Sequence, residues 1–320
     1  MFGVFSTYLS RPVVLRVPSP GPPGSRRNVV DNQVNATFLF GYGVTDRLQL
    51  DLALPITLGQ DGTGLSPITA GSRLQDTAIR DLRFGLAYAL VPRARVAPDA
   101  ITAGAGQTFS VTARLAFSAP TGQGGQFAGE RGGVAMPSVA ADYRRGRWYA
   151  GTELGLRLRE TTEFAGARVG TQLSYGLGVG YDLLKQRELL AVQAEARVLP
   201  TFASQGPGGG AITFPGGEPP SVLIPAEWMV SVRSAPVLNG DFALLAGGGG
   251  GIPFAGDASL TTPRFRFVLG FTYAPLARDR DGDGVPDNED KCPDERGVRV
   301  SRAGAGCPKS AEPEGESVAP

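Results

Sequence analysis

Between residues 278 and 293 the chain sets five carboxylates at intervals that one cation could gather. Counting Asp279 as the first position, Asp281 is third, Asp283 fifth, Gly284 sixth, Val285 seventh, Asp287 ninth and Asp290 twelfth. Calcium takes roughly six to eight hard oxygens in a flexible cage, and loops of this spacing supply them from carboxylates and one backbone carbonyl, with a glycine making the sharp turn. Carboxylates packed this closely repel one another unless a cation sits among them. The expected cofactor is therefore Ca²⁺, held by Asp279, Asp281, Asp283, the carbonyl of Val285, Asp287 and Asp290. The twelfth position is Asp rather than Glu and no apolar helical stretch flanks the loop, so an EF-hand pair is not expected. An acidic solvated linker is the plainer alternative, but the turn glycine and Cys292 with Pro293 just beyond favour a cation. A single loop of low rigidity predicts weak binding, roughly 10⁻⁴ to 10⁻³ M.

Other chemistry is excluded more easily than assigned. Histidine is absent, which rules out His-based zinc sites and His-dependent Ser or Cys nucleophiles. The glycine runs Gly122 to Gly125 and Gly247 to Gly251 lack the Lys-Ser/Thr of a phosphate loop, and no helix opens after them. No carboxylate pair stands out for glycosidase-type work, and the chain is not expected to be an enzyme. With 31 basic against 30 acidic residues, no surplus of positive charge exists to hold a nucleic-acid backbone. The two cysteines, Cys292 and Cys307, fit one local disulfide in an oxidising compartment better than a metal cluster.

The elements that carry these residues are predicted to be strands. Gly (46) and Pro (26) are abundant, so turns must be many, and no apolar run approaches the roughly 20 residues of a membrane helix. A two-residue period recurs in segments of about ten residues, the length of a transmembrane strand. From Leu48 to Leu58 every even position is Leu or Ile, with Gln49, Asp51 and Thr57 between them. From Val169 to Leu183 the odd positions are apolar apart from Thr171, and the even ones small or polar. Phe265, Phe267, Leu269, Phe271 and Tyr273 alternate with smaller or polar residues at the end of the series.

Twelve strands are expected, near 2–15, 33–43, 47–58, 77–91, 107–119, 134–144, 147–160, 169–183, 188–200, 223–235, 241–253 and 263–275. Tight turns near residues 45, 146, 185 and 239 alternate with long Gly/Pro/Ser-rich stretches at 18–31, 59–76, 120–133, 161–168, 201–222 and 254–262. The segment 92–106 is the exception, a long link where a short one belongs. The fold class is all-β, an antiparallel up-and-down transmembrane barrel followed by a short irregular calcium-binding segment. On the face opposite the apolar one sit Asp51, Arg83, Arg114, Glu153, Arg157, Glu195, Arg197, Glu227, Arg233, Arg264 and Arg266, which a water-filled lumen would pair. Tyr42, Tyr143, Trp148, Tyr181, Trp228 and Tyr273 near strand ends would form interfacial girdles. A soluble β-sandwich is the rival fold, although its strands are usually shorter.

Asp279 to Pro293 resembles a thrombospondin type 3 repeat, and a barrel followed by that repeat resembles the OmpA-like outer-membrane proteins of Gram-negative bacteria. The resemblance implies a calcium-loaded periplasmic spacer and a pairing of Cys292 with Cys307. It stops short of wall attachment, since no peptidoglycan-binding sequence follows the repeat. The implied organisation is a barrel over 1–276, the repeat over 277–309 and a disordered acidic tail over 310–320. The expected location is the outer membrane with the C-terminal segment in the periplasm, although no export signal is visible at the N-terminus. Outer-membrane lipid is the expected partner, with the C-terminal segment free to meet the cell wall or a further protein; the sequence leaves the oligomeric state open. Two functions are carried forward: a structural or porin-like barrel passing small solutes, and a calcium-dependent adhesion or interaction protein.

Overall fold

The computed structural model describes residues 1–17, 25–67, 73–92, 107–164, 167–183, 190–203, 223–234, 241–252, 262–274, 281, 285, 287, 289–298 and 305–308. The chain divides into two units, Met1–Tyr273 and Ala274–Pro320.

Among the described residues, the regular elements of the first unit are strands and one 3-10 turn at Gly124–Gln126. Its strands are β1 (Phe2–Val17), β2 (Ser25–Gly43), β3 (Leu48–Asp61), β4 (Ala78–Ile79), β5 (Arg83–Val91), β6 (Gln107–Ser118), β7 (Val134–Arg145), β8 (Trp148–Arg157), β9 (Thr162–Phe164), β10 (Ala167–Val169), β11 (Gln172–Asp182), β12 (Leu190–Val198), β13 (Ala226–Ser234), β14 (Phe242–Gly251) and β15 (Phe265–Tyr273). Twelve of them form one antiparallel meander that closes on itself. β1 pairs with β15 through Phe2 opposite Tyr273, and β2 pairs with β3 through Phe38 opposite Leu54. No barrel strand is left with an open edge, so backbone donors and acceptors along the sheet are satisfied from within, as a wall facing lipid requires. Closure also removes the sandwich alternative, which needs two facing sheets with free edges.

The strand pattern follows the twelve expected segments closely, with three differences. β2 begins at Ser25, inside what the sequence presents as a loop, because β1 and β2 continue as a bulged hairpin beyond the regular pleat. Register shifts fall between Ser10 and Val14, and Arg11 takes the positive φ of 49°. The expected segment 77–91 is broken at residues 80–82 into β4 and β5. The stretch 161–168 carries a small separate hairpin, β9 with β10. Of the expected tight turns, those near 185 and 239 lie outside the described residues, as does most of the long 92–106 link.

The two ends of the barrel differ. At one end β2 meets β3 through a turn closed by Val44 N–H to the Leu48 carbonyl (2.8 Å), with the Thr45 hydroxyl accepting from Arg47 and Leu48 N–H. At the same end β7 meets β8 through Gly146 and Arg147, where φ of 57° at Gly146 is the left-handed conformation that so short a link requires. The first and last strands begin and finish there too. The long β3–β5 and β6–β7 connections lie at the other end, where Ala53 pairs with Arg83 and Ser118 with Val134.

Pleat alternation then sorts the side chains. Leu50, Leu52 and Leu54 of β3, Leu177 and Val179 of β11, and Phe265, Phe267 and Leu269 of β15 all point outward and are exposed, Leu269 at 65%. Few apolar side chains are fully buried, and Val29, Val30, Val134 and Leu223 all lie at the long-connection end. The apolar surface of this unit therefore faces away from its interior, the reverse of a water-soluble core.

Candidate functional site

The inward face is the candidate site, and strand register builds it. Asp51 stands opposite Gly41 and Gly85, and Arg114 stands opposite Ala87 and Ser138, so both point into the lumen. Arg114 Nη2 lies 4.0 Å from Asp51 Oδ2, with the two side chains 48% and 31% exposed. Side chains that point inward and remain this exposed require water inside the barrel. On the opposite wall Arg266 Nη2 meets Glu227 Oε2 at 2.8 Å, and Arg197 donates to the Ser174 hydroxyl at 3.1 Å. Arg264 lies against the ring of Phe265, 5.3 Å from its centroid. Glu153, Glu195 and Arg233 occupy inward register positions on β8, β12 and β13.

At the short-turn end Tyr149 takes an inward register position, and its ring lies across Gly180 of the neighbouring strand. Arg144 is paired with Asp182, and its guanidinium is 5.7 Å from the Tyr149 ring centroid. Ser110 donates to Asp142 one strand away. On the outside of this end an aromatic belt follows the rim: Phe2 with Phe40 (5.2 Å between centroids), Trp148 with Tyr181 (4.7 Å) and Phe242 with Tyr273 (4.8 Å). Tyr42, Tyr143 and Trp148 are exposed here, where amphipathic rings suit a headgroup boundary. Trp228 lies instead at the start of β13, toward the other rim.

At the long-connection end two connections are tied to lumen-facing side chains. Gln33 donates to Gln60 (2.8 Å), and Gln60 in turn donates to the carbonyls of Gln75 (2.9 Å) and Gln126 (3.2 Å). Gln126 accepts from Gln75 N–H at 2.7 Å and donates to the Arg73 carbonyl. Asp81 is buried and uses both oxygens, accepting from Gly122 N–H (2.8 Å) and Glu130 N–H (2.9 Å). Because Gln33, Asn35 and Thr57 point inward, these bonds draw the β3–β5 and β6–β7 connections over the mouth.

Beneath them is a cavity of about 150 Å³ lined by Arg80, Asp81, Arg83, Ser118, Glu130 and Arg157 among others. Arg80 reaches Asn35 and Thr57, each at 3.4 Å. Burial first, and then the neighbouring Arg83, hold its guanidinium below the ordinary arginine range, with Asp81 acting the other way. Arg159 pairs with Glu130 at 2.8 Å.

Sequence parity places Arg83 and Arg157 in the lumen, but it misses Arg80, Asp81, Glu130 and Arg159. Arg159 could have been found, since it shares the parity of Arg157 two residues before it. Asp81 and Glu130 sit in connections whose inward fold depends on partners some 40 to 50 positions away in the chain, roughly |i−j| of 41 and 49, and no local signal marks them.

In the second unit Cys292 and Cys307 are joined, their Cα atoms 5.0 Å apart, as expected. The bridge is framed by Lys291 N–H to the Ala305 carbonyl (3.1 Å) and Val298 N–H to the Cys307 carbonyl (3.2 Å). Of the expected calcium ligands, Asp279 and Asp283 lie outside the described residues, as does the expected tail 310–320. Among the described residues no three His, Cys, Asp or Glu side chains gather around one point. Val285 is buried, and Asp290 is oriented by accepting from Cys292 N–H at 2.7 Å through Oδ1. Its Oδ2 is buried without a hydrogen bond, an orphaned acceptor that a hard cation would satisfy.

No family model and no curated protein matches this chain. The barrel is similar to the COG4313 outer membrane channel from Pseudomonas putida F1, with a TM-score of 0.52 and 14% identity over 85% of this chain and 94% of that one. It also aligns with Salmonella typhi OmpF in complex with daunomycin, at a TM-score of 0.36 and 9% identity over 85% of this chain and 96% of that one. The Ralstonia pickettii toluene transporter TbuX aligns over 86% of this chain and 89% of its own, at a TM-score of 0.35 and 9% identity. The first likeness is one of fold; the other two, below a TM-score of 0.5, stand as alignments only.

Proposed function

We propose that this chain is an outer-membrane barrel that passes small solutes passively through its lumen and carries a calcium-stabilised periplasmic spacer after its last strand. The observation that carries the channel reading is the half-exposed pair of Arg114 and Asp51, pointing inward and open to water. The outward leucines and phenylalanines supply the lipid-facing band, and the aromatic belt at the short-turn rim supplies one interface. That rim would face the periplasm, because barrels of this kind keep their short turns there and their longer loops outside. The similarity to a solved outer membrane channel agrees with this reading at the level of fold. The role we assign is passive transport rather than catalysis.

The spacer rests on the spacing of its carboxylates and on Asp290. Asp279, Asp281, Asp283, the Val285 carbonyl, Asp287 and Asp290 would hold Ca²⁺ in the manner of a thrombospondin type 3 repeat, and the cation would supply charge neutralisation and rigidity. The reading is tested by reconstituting the full chain in planar bilayers. Discrete current steps that persist without nucleotide or other energy source support a passive channel. A folded barrel that stays silent leaves only the structural role.

A further inference from the structure

Among the described residues, the cavity under the folded connections gathers more positive than negative charge. Arg80, Arg83 and Arg157 line it, and Arg159 stands beside it through Glu130. Against these four guanidiniums stand two carboxylates, and both are already engaged. Asp81 accepts two backbone N–H groups, and Glu130 is paired with Arg159. Arg157 has among its close electrostatic neighbours three further arginines, Arg159, Arg83 and Arg197, with Glu130 the one acid. Its Nε is buried with no hydrogen-bond partner. Like charges at this separation repel, and a guanidinium with an unused donor is costly to keep away from bulk water. The planar fork of arginine matches the oxygens of a phosphate or carboxylate group, which would relieve both penalties at once.

We propose that this cavity is an anion site, holding a small oxyanion between Arg83 and Arg157 beneath the β3–β5 and β6–β7 connections. Arg83 opens β5, Ser118 closes β6 and Arg157 closes β8, so the site lies at the long-connection end of the lumen. Within the channel reading, on which this rests, the site makes the pore prefer anions and retain phosphate- or carboxylate-bearing solutes.

The test uses the full chain with inorganic phosphate as probe. In a KCl gradient across a planar bilayer the reversal potential gives the ion preference, and phosphate added at the long-connection side interrupts the current. Expected are chloride preference and phosphate interruptions that need about tenfold more phosphate in Arg157→Gln or Arg83→Gln, as the loss of one charge-assisted contact implies. Arg47→Gln, in the exposed β2–β3 turn at the opposite end, keeps the wild-type phosphate response. Current without anion preference, or interruptions unchanged in both cavity variants, overturns the anion site and leaves the channel standing. If no current flows the channel reading fails, and calorimetric titration of the detergent-folded barrel with phosphate decides separately. Heat lost in Arg157→Gln supports the site, and no heat from the wild type refutes it. Each variant enters the comparison only with the unheated electrophoretic mobility of the wild type, and two independent cavity substitutions guard against one failing to fold.

Discussion

Tyr149 of β8 lies across Gly180 of β11 so closely that a β-carbon built on Gly180 would sit 2.1 Å from the ring. The glycine is what lets the tyrosine lie along the wall at the short-turn end. Replacing Gly180 by Leu should push the ring off the wall and cost about 1–3 kcal/mol, as overpacking does. Gly176, two pleats along on the same face, has open space where its β-carbon would be, so Gly176→Ala should change little. Urea unfolding of both variants in detergent, followed by tryptophan fluorescence, measures the difference.

Leu177 projects from the middle of β11 into the outward apolar face, whereas Glu153 projects inward from the paired position beside Gly176. Leu177→Arg is expected to cost about 2–4 kcal/mol in a bilayer, the range for a cation near the midplane of a barrel wall. Glu153→Gln, on the water side, should stay close to wild type. Folding equilibria in lipid vesicles distinguish the two faces. Equal effects would mean that the inside and outside are assigned wrongly.

The twelve-strand plan was legible because the pleat imposes a strict period of two, and a wall between lipid and water leaves no ambiguity about which face is greasy. Leu48 to Leu58 and Phe265 to Tyr273 carry the pattern without a break, and the expected lumen charges from Asp51 to Arg266 fall on the inward parity. The pattern fails where the geometry departs from a plain pleat. Val29 and Val30 are adjacent and both fully buried, which no alternating strand predicts, and they sit in the bulged extension of β1 and β2. Pairing was also illegible. That Arg266 would meet Glu227, or Gln126 reach Gln60, depends on barrel closure and on loops returning over the mouth, and residues this distant leave no periodic trace.

Asp81 binds the β6–β7 connection through both carboxylate oxygens, each accepting one backbone N–H. Asp81→Ala removes two hydrogen bonds to a charged group, each worth about 1.5–3 kcal/mol. The connection at 119–133 should then leave the mouth. The expected outcome is faster proteolysis within that segment and a larger single-channel current, with the barrel itself still resistant to protease.

Asp290 carries a buried oxygen without a hydrogen bond beside the Cys292–Cys307 bridge. Millimolar calcium should slow proteolysis after residue 274, a chelator should abolish the protection, and Asp290→Asn should weaken it about tenfold, as loss of one charged ligand does. Protection that is the same with calcium and with chelator would leave the disulfide as the only constraint on this segment.

The central claim is that residues 1–273 close into a barrel whose outer face is made for lipid. The measurement that tests it most directly is electrophoretic mobility of detergent-extracted protein in SDS, unheated and boiled. A compact, fast-migrating band that slows on boiling is the expected result, because closed barrels keep their hydrogen-bonded wall in SDS until heated. A protein that stays soluble without detergent and migrates identically before and after boiling would contradict it.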